Sequence, residues 1–178
     1  MAITKKMKME YFRVVCRKKN SKKDELDILF DLTKWIEKID KIELSSRIIK
    51  YKNDKTRLDK LKYDEKNKYW HLNFVKLRET NIPNMAKTNS EAEPILLDDD
   101  EYIGEDVNAL YDDDLNVLVV QRNKYSLNFD AIEYYINEIW KSDENLEIFL
   151  RPILTQDIFD SIRNKGTYRK VNEKYYRV

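Results

Sequence analysis

Apolar and polar residues alternate from Met9 to Arg17, with Phe12, Val14 and Cys16 on one face and Tyr11, Arg13, Val15 and Arg17 on the other. That period of two predicts a half-buried strand. After the polar link from Lys18 to Lys23, with Ser21 and Asp24 at a loose capping-box spacing, Leu26, Leu29, Phe30, Thr33, Ile36 and Ile39 recur at helical spacing and predict an amphipathic helix ending near Ile42. Residues 46–52 read as a second strand. Residues 53–68 are almost entirely charged and polar, with Leu58, Leu61 and Tyr63 to bury, and read as an exposed hairpin or loop. Alternation resumes from Tyr69 to Val75, where Trp70, Leu72 and Phe74 share a face and predict a third strand. Two of the three prolines, with Asn, Ser and Thr, make residues 81–94 a mobile connection.

An acidic segment, Asp98 to Asp106, leads to Val117–Val120, an apolar run that suits a strand covered on both faces and entered through a turn at Asp112 to Asp114. Asn128 caps a second helix whose stripe is Ile132, Tyr135, Ile136, Ile139 and Trp140. Leu146 to Leu150 returns as a strand. A short helix from Thr155, with Ile158, Phe159 and Ile162 inward, closes at Gly166, and Tyr168 to Val178 reads as a final strand that a longer natural chain or a partner completes. The expectation is a single α+β domain over 1–178, with a mixed or antiparallel sheet, two main amphipathic helices and one short helix.

Composition narrows the chemistry. Cys16 is the only cysteine and His71 the only histidine, which excludes an internal disulfide and the usual nitrogen and sulfur zinc sites. With no apolar run of spanning or signal-peptide length, the expected compartment is the cytoplasm. Two glycines far apart exclude the glycine-rich phosphate loops. The formal net charge of +1 conceals a division, since residues 1–89 hold 24 Lys and Arg against 13 Asp and Glu, and residues 90–178 hold 10 against 20. Either the basic half seeks a polyanion or the two halves attract each other in the fold. An AT-rich genome would also favour lysine codons.

His71 sits mid-strand beside Trp70, and Cys16 lies on the expected core face, so neither reads as a nucleophile or its base. No catalytic residue is assigned, and the chain leans away from being an enzyme. The basic residues with the best claim to nucleic acid are Lys18, Lys19, Lys22 and Lys23 at a strand-to-helix junction, and Arg47, Lys50, Lys52, Lys55, Arg57, Lys60 and Lys62 with Tyr51 and Tyr63 interleaved. Cations there would neutralise phosphates and aromatic faces would stack on bases. The acidic run with Asp112 to Asp114 supplies oxygen ligands for Mg²⁺, the one cofactor considered, in a divalent-metal nuclease. In that pattern Asn123 stands where the charge-stabilising lysine belongs.

The order Trp70-His-Leu-Asn-Phe-Val-Lys-Leu-Arg78, Asn81-Ile-Pro83, Asp100-Glu-Tyr-Ile-Gly-Glu105, Leu110-Tyr-Asp112 and Val120-Gln-Arg-Asn123 resembles a family of uncharacterised bacterial and phage-borne proteins found near anti-phage defence genes. Leu150-Arg-Pro-Ile-Leu154 and Tyr168-Arg-Lys-Val171 extend the likeness. More distantly, Leu110 to Trp140 is similar to the second subunit of the Kiwa defence system and to the lambda Rex exclusion proteins, which the resemblance associates with DNA. Within the shared signature, Glu101, Glu105, Asp112, Gln121 and Asn123 are the place to look for a site. They read equally as structural groups, with Glu101 and Glu105 capping or pairing with Arg78 or Lys76 and the amides satisfying backbone groups. Together these readings favour a defence-associated binding module for DNA, RNA or a phage or host protein. The alternatives are the nuclease and an assembly subunit, a homo-oligomer or one of a pair, joined through its C-terminal strand.

Overall fold

The computed structural model describes residues 7–20, 26–141 and 145–154. Strands β1 (Met9–Lys18), β2 (Ile28–Leu29), β3 (Ile49–Tyr51), β4 (Asp54–Asp64), β5 (Tyr69–Arg78), β8 (Ile103–Asp112), β9 (Val117–Gln121) and β10 (Leu146–Pro152) form one sheet, joined through antiparallel pairings in the order β10-β1-β9-β8-β5-β4-β3, with β2 beside β1. A separate hairpin, β6 (Asn84–Lys87) and β7 (Ser90–Pro94), occupies the stretch expected to be a mobile connection, and every residue of both strands is exposed. The large sheet curls into a half-barrel, and helices α1 (Thr33–Asp40) and α2 (Phe129–Trp140) pack on its inner face. The α+β expectation holds at this level. No helix of the described residues is long and apolar enough to cross a membrane.

Period-two burial builds the inner face from Phe12, Val14 and Cys16 on β1, Leu118 and Val120 on β9, Val107, Ala109 and Tyr111 on β8, and Leu72 and Phe74 on β5. Helices α1 and α2 meet that face through an aromatic cluster in which Trp35 lies 6.5 Å from Phe74 and Tyr135 lies 5.7 Å from Phe74. Trp35 also donates from Nε1 to the Ile136 carbonyl at 3.0 Å, joining the two helices. Tight turns that glycine would ordinarily supply fall to Asn20, Asn81, Asn116 and Asn145, all at positive φ, which asparagine tolerates better than most residues.

Several expectations need correction. The first helix starts at Thr33, not near Leu26, because the chain from Ile28 to Leu29 pairs with Val15 and Cys16 of β1. Leu26 and Leu29 are exposed, while Leu32 and Trp35, which the helical pattern did not single out, are fully buried. Asp27 explains why the segment stays extended: its carboxylate is held by both Arg17 and Arg151, the latter at 2.7 Å. Burial alone would raise that carboxyl, but the hydrogen bonds and charge of the two guanidiniums outweigh it and hold it below the ordinary value. Residues 46–52 divide into a 3-10 turn (Leu44–Arg47) and the short β3. The polar stretch after it is the long strand β4, joined to β5 by a turn. The strand β9 is fully buried on one face only, with Val117 and Val119 half-buried. Of the acidic segment before it, residues 103–106 begin β8 and residues 98–102 precede the strand. The second helix starts after Asn128 as expected, and the Asn128 side chain accepts from the Ala131 amide at 3.1 Å. The Ser21/Asp24 cap, the short helix from Thr155 and the final strand lie outside the described residues.

Helix α2 reaches both ends of the sheet. At β10, Asn137 accepts from the Ile148 amide at 2.8 Å and donates to the Ile148 carbonyl at 2.7 Å, and Glu133 accepts from the Leu150 amide at 2.6 Å. One helical turn thus satisfies backbone groups that an edge strand leaves unpaired. At β4, whose register with β5 slips between Leu58 and Lys60, the Leu58 amide donates to the Tyr135 hydroxyl at 2.9 Å, and that hydroxyl donates to the Arg47 carbonyl at 2.9 Å. Burial pushes the Tyr135 phenol up to about 12, so it stays a neutral donor and acceptor.

Replacing Tyr135 by Phe should destabilise the protein by about 2 kcal/mol, because the Leu58 amide and Arg47 carbonyl lose a buried partner; urea unfolding measures it. Burial also pushes the Glu133 carboxyl up, against the opposing Leu150 hydrogen bond and the Arg151 charge. A carboxyl raised in the folded chain contributes most below its unfolded value and loses that contribution as pH rises through the folded one. Glu133→Gln keeps the acceptor without the charge. It should therefore raise the urea midpoint at pH 7, with the advantage closing as pH falls below the ordinary carboxyl value of 4.5. An unchanged midpoint across that range would show that the charge costs nothing there.

Candidate functional site

The slip in β4 decides which side chains face outward. Along its first half Lys55 and Arg57 point away from the core and Thr56 and Leu58 point into it. Strict alternation would then turn Leu61 outward and Lys60 and Lys62 inward. Asp59 is instead the extra residue of a bulge, so Leu61 pairs with Leu72 and packs on the core, while Lys60 and Lys62 stand opposite the outward Asn73 and His71. The neighbouring β3 adds Lys50, directly across from Lys55. Five of the cations singled out in the sequence, Lys50, Lys55, Arg57, Lys60 and Lys62, therefore share one outward surface on adjacent strands.

Their pairing is incomplete. Lys55 binds Glu79 at 2.5 Å and the Tyr102 hydroxyl at 3.2 Å, and Arg57 binds Asp59 at 2.7 Å. Among the described residues, Lys50, Lys60 and Lys62 have no ion-pair partner. The other basic candidates lie elsewhere. Arg47 turns back to the Ile42 carbonyl at 2.8 Å, and Lys52 sits in the β3–β4 turn with its ammonium over the Tyr51 ring. Lys18 and Lys19 lie at the end of β1 beside β10, with three strands between β1 and β4 in the sheet, and Lys22 and Lys23 lie outside the described residues.

Arg57, Lys60 and Lys62 line one side of an open groove of about 1130 Å³ across β4, β5 and β8, with Lys50 and Lys55 outside its lining. Its floor carries His71, Asn73, Val75 and Leu77 from β5 and Gly104, Asp106 and Asn108 from β8. The segment from Leu97 to Tyr102 closes one end, and there Val75 and Leu77 are buried although they belong to the outward face. A side chain at Gly104 would press on the Val75 Cγ1, its Cβ only 3.2 Å away. The lining also holds the acids Asp59, Asp100, Glu101 and Asp106. His71 and Tyr69 lie with ring centroids 5.0 Å apart on the outward face of β5, beside Lys62.

The five polar residues of the family-like signature do not meet at one point. Glu101 accepts from the Asp98 amide at 3.1 Å, and Asp112 accepts from the Leu115 amide at 2.9 Å in the β8–β9 turn. Glu105 lies at the inner-face end of β8, bound by Arg78 and 3.9 Å from the Lys76 ammonium. That is where cations of the basic half meet a carboxylate of the acidic half. Asn123 donates to the Asp106 carbonyl at 2.9 Å. Gln121 alone joins the groove's polar network, accepting from the Asn108 amide at 3.4 Å. Among the described residues no three His, Cys, Asp or Glu side chains gather as metal ligands. The carboxylate convergence that the nuclease reading requires is thus not found among them. Sequence reasoning overlooks Asn73 and Asn108 and takes Asp106 only as one of the acidic run's oxygen ligands; the Asn73 to Val75 alternation and the bare period of two at Asp106, Asn108 and Leu110 are the available signals.

No curated protein and no solved structure shows a significant match to the chain. A family profile matches residues 2–177, nearly the whole sequence. The chain belongs to that family, a family of unknown function (DUF6731).

Proposed function

We propose that the protein is a non-enzymatic binding module that takes single-stranded nucleic acid across the outward face of β3, β4, β5 and β8. The observation that carries this reading is the set of outward cations, including Lys50 and Lys55 directly opposite one another. Like charges across a strand pair cost the fold stability and are relieved by a bound anion. Lys50, Lys60 and Lys62 are placed to neutralise phosphates, and the His71 and Tyr69 rings offer a stacking surface beside them. An open groove that crosses three strands suits an extended strand better than a small ligand. The setting in anti-phage defence belongs to the same proposal and rests on the resemblance of the sequence signature. A metal-dependent nuclease gains no support from the geometry of the described residues, and assembly through the C-terminal segment concerns residues outside them.

The double variant Lys60→Gln, Lys62→Gln should weaken binding of a fluorescent single-stranded oligonucleotide, and the slope of log affinity against log salt should fall by about 1.4 for the two lost charges. Fluorescence anisotropy across a salt series measures both. An unchanged slope, or no binding by the parent protein at low salt, would sink the proposal. Lys50→Glu should separate function from stability, because it converts the like-charge pair with Lys55 into an opposite one and raises stability by about 0.5 kcal/mol while weakening the same oligonucleotide binding. A variant that is more stable and binds equally well would show that Lys50 faces no ligand.

A further inference from the structure

The groove's floor carries a directional chain of amides. Asn73 donates from Nδ2 to the Asn108 Oδ1 at 2.9 Å and to the Asp106 Oδ2 at 3.4 Å. Asn108 donates from its own Nδ2 to the same Asp106 oxygen at 3.4 Å and to the Gln121 Oε1 at 3.3 Å. Gln121 in turn directs Nε2 at the Met7 sulfur, 3.5 Å away. The orientation of these amides is fixed by chemistry. The Asp106 carboxylate only accepts, so the nitrogens of Asn73 and Asn108 must face it, and the Asn108 backbone N–H only donates, so Gln121 must turn its oxygen there.

The consequence is that the amide hydrogens of Asn73 and Asn108 are both committed within the row. What remains for a ligand are acceptors. Among the described residues the Asn73 Oδ1 and the second oxygen of Asp106 have no hydrogen-bond partner. The groove is therefore polarised across the strand order, with Arg57, Lys60 and Lys62 of β4 at one side and the Asn73 and Asp106 acceptors of β5 and β8 beyond them. A nucleic-acid strand has the matching polarity only when its bases present N–H groups. Its phosphates face the cations and its base edges face the acceptors.

We infer that the groove discriminates among bases, favouring those with an exocyclic amino group, above all cytosine, over uracil and thymine, with the Asp106 carboxylate as the specificity-determining acceptor. This rests on the single-strand reading proposed above. The cytosine N4 amino group donates two hydrogens to carboxylates, whereas uracil places its O4 carbonyl at the same position, where it would oppose Asp106. Asn73 and Asn108 act as positioning residues that hold Asp106.

The test compares deoxycytidine and deoxyuridine dodecamers, which differ at the 4-amino and 4-oxo groups and the accompanying N3 proton, by anisotropy at fixed salt and pH 7.5. The deoxycytidine strand should bind about tenfold tighter. In Asp106→Asn, which gains a donor and loses the charge, that ratio should fall towards one, mainly through tighter binding of deoxyuridine. Equal affinity of the parent for both strands, or a preference for deoxyuridine, overturns the inference while leaving the binding function standing. Failure of both strands to bind at low salt overturns the function as well. A ratio that survives intact in a folded Asp106→Asn protein, checked by its thermal midpoint, removes Asp106 from the role.

Discussion

The hydrogen bond between the Leu58 amide and the Tyr135 hydroxyl is the point on which the core and the outward surface depend together. A bulge leaves a backbone amide without its ladder partner, and burying such a group unpaired costs about 1–3 kcal/mol. Leu58 is fully buried, so water is no substitute. Tyr135 supplies the acceptor and donates its own hydroxyl hydrogen bond to the Arg47 carbonyl, tying α2 to the strand and to the turn before β3. With the bulge stabilised in this way, the second half of β4 turns over by one residue. Leu61 goes to the core and Lys60 and Lys62 go to the groove. A core phenol thus determines which charges the surface presents.

The same helix governs what the other end of the sheet can do. Glu133 and Asn137 occupy backbone groups of β10, and Tyr135, two residues from each and so on the opposite side of the helix, occupies those near β4. A curled sheet held at both ends by one helix has its inner face committed to packing. Phe12, Phe74, Tyr111 and Trp35 are buried there almost completely. A ligand is left with the outward face, where the strands carry polar and charged residues between the half-buried positions. The groove is consequently built on strands and not on loops, and its floor inherits the rigidity of cross-strand hydrogen bonding.

Where a strand kept a clean period of two, or a helix carried its own cap, the sequence was readable. β1 and β5 follow their alternation, and Asn128 caps α2 as its side chain predicts. The long strand β4 was read as a hairpin or loop because its bulge breaks the alternation at Asp59 and because its outward residues are nearly all charged. No local pattern distinguishes that from a solvated loop. The first helix was read too long because Leu26 and Leu29 fall at helical spacing by coincidence; the contact that keeps this segment extended, Asp27 with Arg151, spans 124 residues. The groove was half legible. Its cations were evident as a run, but the amide chain unites Asn73, Asn108 and Gln121 from three strands, and only the registers bring them into line.

The charge division along the chain also acquires a physical meaning. Lysines on an open strand have an explanation without any ligand, since they discourage edge-to-edge pairing of sheets, and β3 covers only the start of β4. Edge protection accounts for the presence of lysine there, but it works whichever way the side chains turn. It gives no reason for Lys50 to oppose Lys55, nor for the bulge to bring Lys60 and Lys62 to the face that already carries Arg57. The contrast with β10 sharpens this, because that edge is satisfied by Glu133 and Asn137 without a row of cations on one face. Among the described residues the ion pairs that join cations of the basic half to carboxylates of the acidic half are those of Lys76 and Arg78 with Glu105, while Lys60 and Lys62 share the groove with carboxylates but form no ion pair with them. Opposite charges that share an open groove without pairing leave both kinds unsatisfied, and a ligand with anionic and hydrogen-donating sides satisfies both at once.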